Sequence, residues 1–140
     1  MTREDLEKYL HLKAEAEQLK EEVTKLKAIL ESPRSIVIDG MPRSKSGTNR
    51  TDEMIGKYLT LQESLSLKWQ MVVRAHIRIE DALDRMDDIT SRMLLRYRYI
   101  EGLPWLTIAE KMHYSEQRLY QLHRIALEQA AKVELESIRV

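Results

Sequence analysis

Six side chains near the C-terminus, Glu116, Gln117, Arg118, Tyr120, Gln121 and Arg124, alternate at helical spacing with an apolar stripe of Leu119, Leu122 and Ala126. On a helix, the stripe faces inward and the six polar groups face out. Glutamine can bond the adenine edge twice, arginine can do the same to guanine, and glutamate accepts from the cytosine amino group. Arg124 and the upstream Lys111 add positive charge suited to phosphate oxygens. Chemistry of this kind is recognition of base edges rather than bond breaking. The plainer reading, surface polar groups of a helical bundle, has to be weighed against the punctuation around the segment.

Other chemistry finds little support. The histidines at 11, 76, 113 and 123 are scattered, there is no cysteine, and no nucleophile elbow is present. Gly40-Met-Pro-Arg-Ser-Lys-Ser-Gly47 has the glycines of a phosphate loop, but Lys45 precedes the last glycine instead of following it. Glu80, Asp81, Asp84, Asp87 and Asp88 crowd one helix, whereas catalytic or metal carboxylates converge from separate elements, so the run reads as a solvated face. His76 reads as a polar residue fixing register within an apolar seam. The expectation is a non-enzyme with no catalytic residue, no metal and no cofactor.

The elements that would position the outward residues are punctuated clearly. Asp88 can cap a helix through Ile89, Met93, Leu94, Tyr97 and Ile100, and Gly102 supplies a left-handed stop. Pro104 suits the start of a second helix, Trp105 to Met112, with Trp105, Ile108, Ala109 and Met112 on one side. His113-Tyr114 makes a tight connection, and Ser115 caps a third helix. A short helix, a turn of about three residues and a longer helix form a helix-turn-helix, whose second member is shaped to enter a major groove about 12 Å wide. Residues 115–130 are the recognition helix of this reading, within a unit spanning 88–140.

Upstream, residues 1–32 repeat every seven positions: Tyr9, Ala16, Val23 and Leu30 form one seam, and Leu12, Leu19 and Leu26 the other. Parallel self-pairing sets Glu15 opposite Lys20, and Glu22 opposite Lys27, of a second chain; folding back on the next helix of the same chain is equally compatible. Ser32-Pro33 ends this helix. Residues 33–51, with Pro33, Gly40, Pro42 and Gly47, read as a flexible basic linker in which Ser35–Ile38 could form a short extended piece. A second long helix over 52–87, capped by Thr51 or Asp52, carries a stripe of Tyr58, Leu65, Trp69, Val72, Ile79, Leu83 and Met86. The predicted fold is all-α: long N-terminal coiled-coil helices followed by a small three-helix helix-turn-helix domain.

The 140 residues carry zero formal net charge, but unevenly. Residues 1–32 sum to −2, 33–50 to +3, 51–90 to −3 and 91–140 to +2. A mildly basic C-terminal part agrees with a nucleic-acid partner without requiring one. The charged start, Met1-Thr2-Arg3-Glu4-Asp5, does not look like a secretory signal, and no apolar run approaches the roughly 20 residues that span a bilayer, so no membrane partner is expected.

The run Leu94-Leu95-Arg96-Tyr97-Arg98-Tyr99-Ile100-Glu101-Gly102, then Trp105, Ile108-Ala109-Glu110-Lys111-Met112, then Tyr114-Ser115-Glu116-Gln117-Arg118-Leu119-Tyr120-Gln121-Leu122-His123, resembles the fourth region of sigma factors, which reads promoter DNA. Along the whole chain the sequence is similar to the ArpU-type late transcription activators of phages and prophages of Gram-positive bacteria. Those proteins also join a coiled-coil helix, a loop with an element like Met41-Pro42-Arg43, a long helix and a sigma-like unit. The resemblance implies a sequence-specific, double-stranded-DNA-binding regulator of phage or prophage late genes in the cytoplasm of a bacterial host cell. It places Glu116, Gln117, Arg118, Tyr120 and Gln121 on groove-facing positions, with Lys111 and Arg124 toward the backbone.

Two positions depart from the pattern. His113 stands where relatives often have glycine, and the recognition helix holds fewer arginines than in sigma factors. A homodimer or higher homo-oligomer through the N-terminal helices would offset modest single-copy affinity. Contact with RNA polymerase is a further expected partnership. The alternatives are a DNA-packaging adaptor resembling a small terminase subunit, and a coiled-coil protein that binds RNA polymerase.

Overall fold

The computed structural model describes residues 1–32 and 44–139, with side chains described for 1–32 and 50–134. The protein is all-α, with no strand among the described residues. Helices α1 (Arg3–Glu31) and α2 (Ser44–Asp84) are long; α3 (Ile89–Leu95), α4 (Trp105–Met112) and α5 (Glu116–Arg139) follow. No helix among the described residues is long and apolar enough to cross a membrane.

The linker expected over 33–51 and the helix expected over 52–87 need correction. Residues 44–51 are already helical, and α2 ends at Asp84, three residues before the expected limit. Once a helix is nucleated each further residue adds a bond, so Gly47 costs about 1 kcal/mol without ending it. Residues 33–43, with the expected extended piece and the Met-Pro-Arg element, lie outside the described residues.

The chain forms two compact units whose limits differ from the sequence reading. One joins Met1–Leu12 to Val72–Val140; the other is Lys13–Met71. The C-terminal unit is therefore not 88–140 alone. Helices as short as α3 and α4 cannot enclose a core by themselves, and the start of α1 and the end of α2 complete it. Leu6, Tyr9, Val72, Ile79, Ala82, Leu83 and Met86 are buried in this unit together with Leu94, Leu95 and Tyr99. A second cluster packs Leu94, Ile108, Ala109 and Leu119 against Tyr97, Leu103, Trp105, Met112 and Leu122.

The α1 seam is used within the chain. Tyr9, Ala16 and Val23 are buried and Leu12, Leu19 and Leu26 are half-buried. In the first unit the Tyr9 hydroxyl is 2.8 Å from His76 Nδ1, so His76 does serve as a polar contact in the seam. In the second unit Glu15, which parallel self-pairing would set against a second chain's Lys20, is 2.7 Å from Lys68. In the first unit Asp5 meets Arg78 and Tyr9 meets His76, so there α1 and α2 run antiparallel. Trp69, expected on the buried stripe of α2, is exposed instead.

Candidate nucleic-acid interface

The local punctuation explains how α4 and α5 are placed. Asp88 sits in extended geometry ahead of α3 and accepts from Thr90 N at 3.2 Å and from Ser91 Oγ at 2.7 Å. The helix then widens into a π-helical turn, Arg96–Ile100, closed by the Glu101 amide donating to the Arg96 carbonyl. That turn sets Tyr99 inward, although a uniform α-helix was expected here. Gly102, at φ 68°, stops it in the left-handed region.

Pro104 precedes α4 with φ −64° and ψ 153°, and His113 ends α4 at φ 61°, ψ 40°. A non-glycine residue in this left-handed well is uncommon, and histidine is among those enriched there. The Tyr114 amide then donates to the Ala109 carbonyl at 3.1 Å, and Ser115 Oγ accepts from the Arg118 amide at 3.1 Å. The result is a three-residue turn between two helices whose apolar sides meet: Ile108 and Ala109 from α4, Leu119 and Leu122 from α5.

That packing fixes which side of α5 faces outward. Glu116, Gln117, Arg118, Tyr120, Gln121 and Arg124 are all exposed, as is Lys111 on α4. Gln117, Gln121 and Arg124, spaced by four and three, lie in a line opposite the buried Leu119, His123 and Ala126. Arg118 Nη1 donates to Gln121 Oε1 at 3.0 Å, so these two act as one hydrogen-bonding group. Lys111 Nζ lies 5.7 Å from the centre of the Tyr97 ring. Among the described residues no carboxylate forms an ion pair with Arg118, Arg124 or Lys111, whereas Arg96 is tied to Glu80 at 2.6 Å and Arg78 Nε donates to Glu134 at 2.9 Å. The cations on the outward side of α5 are thus not neutralised by an ion pair among the described residues, whereas the partly exposed Arg78 and Arg96 are.

Sequence reasoning missed the residues behind this face. His123, 6% exposed, is 2.7 Å from the Tyr99 hydroxyl and stacks on its ring. Burial pushes the His123 pKa down to about 4, with Arg3 and Arg98 acting in the same direction, and burial also raises the Tyr99 phenol. The pair is therefore neutral, one hydrogen bond joining the phenol oxygen to His123 Nε2. Trp105 meets His123 edge-on at 4.7 Å and Tyr120 edge-on at 5.4 Å. The Arg98 guanidinium covers Trp105 at 4.6 Å and donates to the Leu103 carbonyl at 3.0 Å. Tyr120 is therefore not a free surface side chain; its ring is held against a stack anchored in the core. The available signal was His123 itself, a histidine in phase with Leu119 and Ala126.

Among the described residues no three His, Cys, Asp or Glu side chains are grouped to hold a metal ion. Residues 41–131 match a family described as "Protein of unknown function (DUF1492)". No curated protein and no solved structure matches the chain.

Proposed function

The chain belongs to the DUF1492 family, and from the geometry of α4 and α5 we propose that it is a sequence-specific DNA-binding regulator of transcription. The first three turns of α5 enter the major groove. Gln117, Gln121 and Arg118 read base edges there, with Glu116 available to a cytosine amino group. Arg124 and Lys111 meet the flanking phosphates. Tyr120, braced by Trp105, supplies a rigid wall at the edge of the groove. The resemblance to ArpU-type activators supports phage or prophage late promoters as targets, and a homo-oligomer held by the N-terminal helices as the working form.

The observation that carries this reading is the outward line of α5: exposed, rich in paired donors and acceptors, and with cations that no carboxylate among the described residues neutralises. Fluorescence anisotropy against phage-promoter duplexes, with a salt titration, tests it. One duplex should bind more tightly than the rest, and affinity should fall as salt rises. Arg118→Ala and Gln121→Ala should each cost about 1–3 kcal/mol on that duplex. Because the two side chains bond each other, the double variant should cost less than the two losses added. Equal, negligible binding to every duplex at low salt removes the proposal.

A further inference from the structure

The unit Lys13–Met71 has little core of its own: among its described residues the buried hydrophobic side chains are Ala16 and Val23. A unit of this size lies near the lower limit at which a chain folds alone. Along the same helix, α2 displays a second seam. Ile55, Leu59, Gln62, Ser66, Trp69 and Val73 follow one another by four, three, four, three and four. All six are exposed, the hydrophobic ones by 43%, 56%, 43% and 43% for Ile55, Leu59, Trp69 and Val73. None carries a charge. Tyr58, Leu61, Leu65 and Val72, about a quarter turn around α2, form a separate and less exposed seam.

The order of the outer seam reads the same in both directions about Ser64. Ile55 mirrors Val73, Leu59 mirrors Trp69, and Gln62 mirrors Ser66. An antiparallel second copy thus sets apolar against apolar and polar against polar in every layer, and puts the large Trp69 against the smaller Leu59. A parallel copy would stack Trp69 on Trp69 beside a Ser66–Ser66 layer, which fills space unevenly. A twofold interface places residue i on j and j on i, and that reciprocity is what a palindromic seam provides.

We propose that a second copy of this chain covers the outer seam of α2, antiparallel and centred on Ser64, with Gln62 and Ser66 fixing the register. The meeting stretch, Ile55 to Val73, is about 27 Å of helix. The one like-charged meeting, Glu63 beside its own copy, is exposed and weak. This rests on the oligomeric part of the proposed function, which it deepens by naming the surface, and not on the DNA-reading part.

Light scattering on the full chain should give twice the monomer mass, and Leu59→Glu with Trp69→Glu should halve it while helical circular dichroism is kept. The chain has no cysteine, so orientation can be read by oxidation. Chains with Leu59→Cys mixed with chains with Trp69→Cys should crosslink to one another, and neither should crosslink when oxidised alone. A monomer at tens of micromolar, or self-crosslinking of Leu59→Cys, overturns the proposal. A monomer that still selects one duplex would leave the DNA reading standing, and a dimer indifferent to DNA would do the reverse.

Discussion

His123 shows how a single side chain couples the interior to the outward face. Its pKa falls from 6.5 to about 4 because burial disfavours the charged ring. The unfolded chain therefore takes up a proton near pH 6.5 that the folded one refuses until about pH 4, so stability is full above pH 6.5 and declines as pH falls through that window. Asp5, held below the ordinary carboxylate range by the Thr2 amide, and Asp88, held there by the Ser91 hydroxyl, lose their contribution only at lower pH. Glu134, which burial would raise but which hydrogen bonds including that from Arg78 hold low, also gives up its contribution in the carboxylate range. The imidazole therefore dominates the upper part of the slope, at about pH 6. In thermal unfolding, His123→Phe should flatten that slope while lowering the midpoint at pH 7, because the Tyr99 hydroxyl loses its partner at a cost of about 1–3 kcal/mol. An unchanged slope would show that another group titrates. The position of His123 on the apolar side of α5 was legible from spacing. Its partner was not, because Tyr99 turns inward only through the π-helical turn, and nothing in Arg96–Ile100 announces a wider turn.

The elements themselves were easier to read, since their ends are written in local chemistry. Asp88, Gly102, Pro104, His113 and Ser115 each act where expected, because capping and left-handed stops depend on a few adjacent atoms. Asp88 does more than cap: Gln129 Nε2 on α5 lies 3.4 Å from its Oδ2, tying the start of α3 to α5. Asp88→Ala should therefore cost about 1 kcal/mol or somewhat more in urea unfolding, and Asp88→Ser should recover part of it. Equal losses for both variants would mean that the contact with Gln129, not the cap, is what matters. The start of α2 was less legible. Ser, Gly, Thr and Asn over 44–51 are ordinary linker residues, and their helical state depends on continuity with the long helix that follows. The mixed stripe read on α2 has the same origin: two seams one residue out of phase look like one broad stripe until the neighbour of each is known.

At the level of the whole chain, spacing specified that α1 is a seam-forming helix but left its partner open. The structure places its first turns in the same compact unit as the helix-turn-helix. This pairing was beyond sequence reasoning because the residues it joins lie some seventy or more positions apart, with no shared local signal. Leu6, fully buried, gives the measurable consequence. Leu6→Ala should cost about 2–5 kcal/mol, and amide exchange should then accelerate at Leu94 and Leu119 as well as in α1. Acceleration confined to α1 would show that its first turns are merely attached to the unit.

The same discontinuity governs how the protein comes into being on the ribosome. The first twelve residues are synthesised long before their companions in Val72–Val140, and at roughly 5–20 residues per second the gap to the end of the last helix is on the order of ten seconds. Leu6 and Tyr9 gain their companions only stepwise during that wait, so each growing chain passes through a stage in which α1 presents apolar surface.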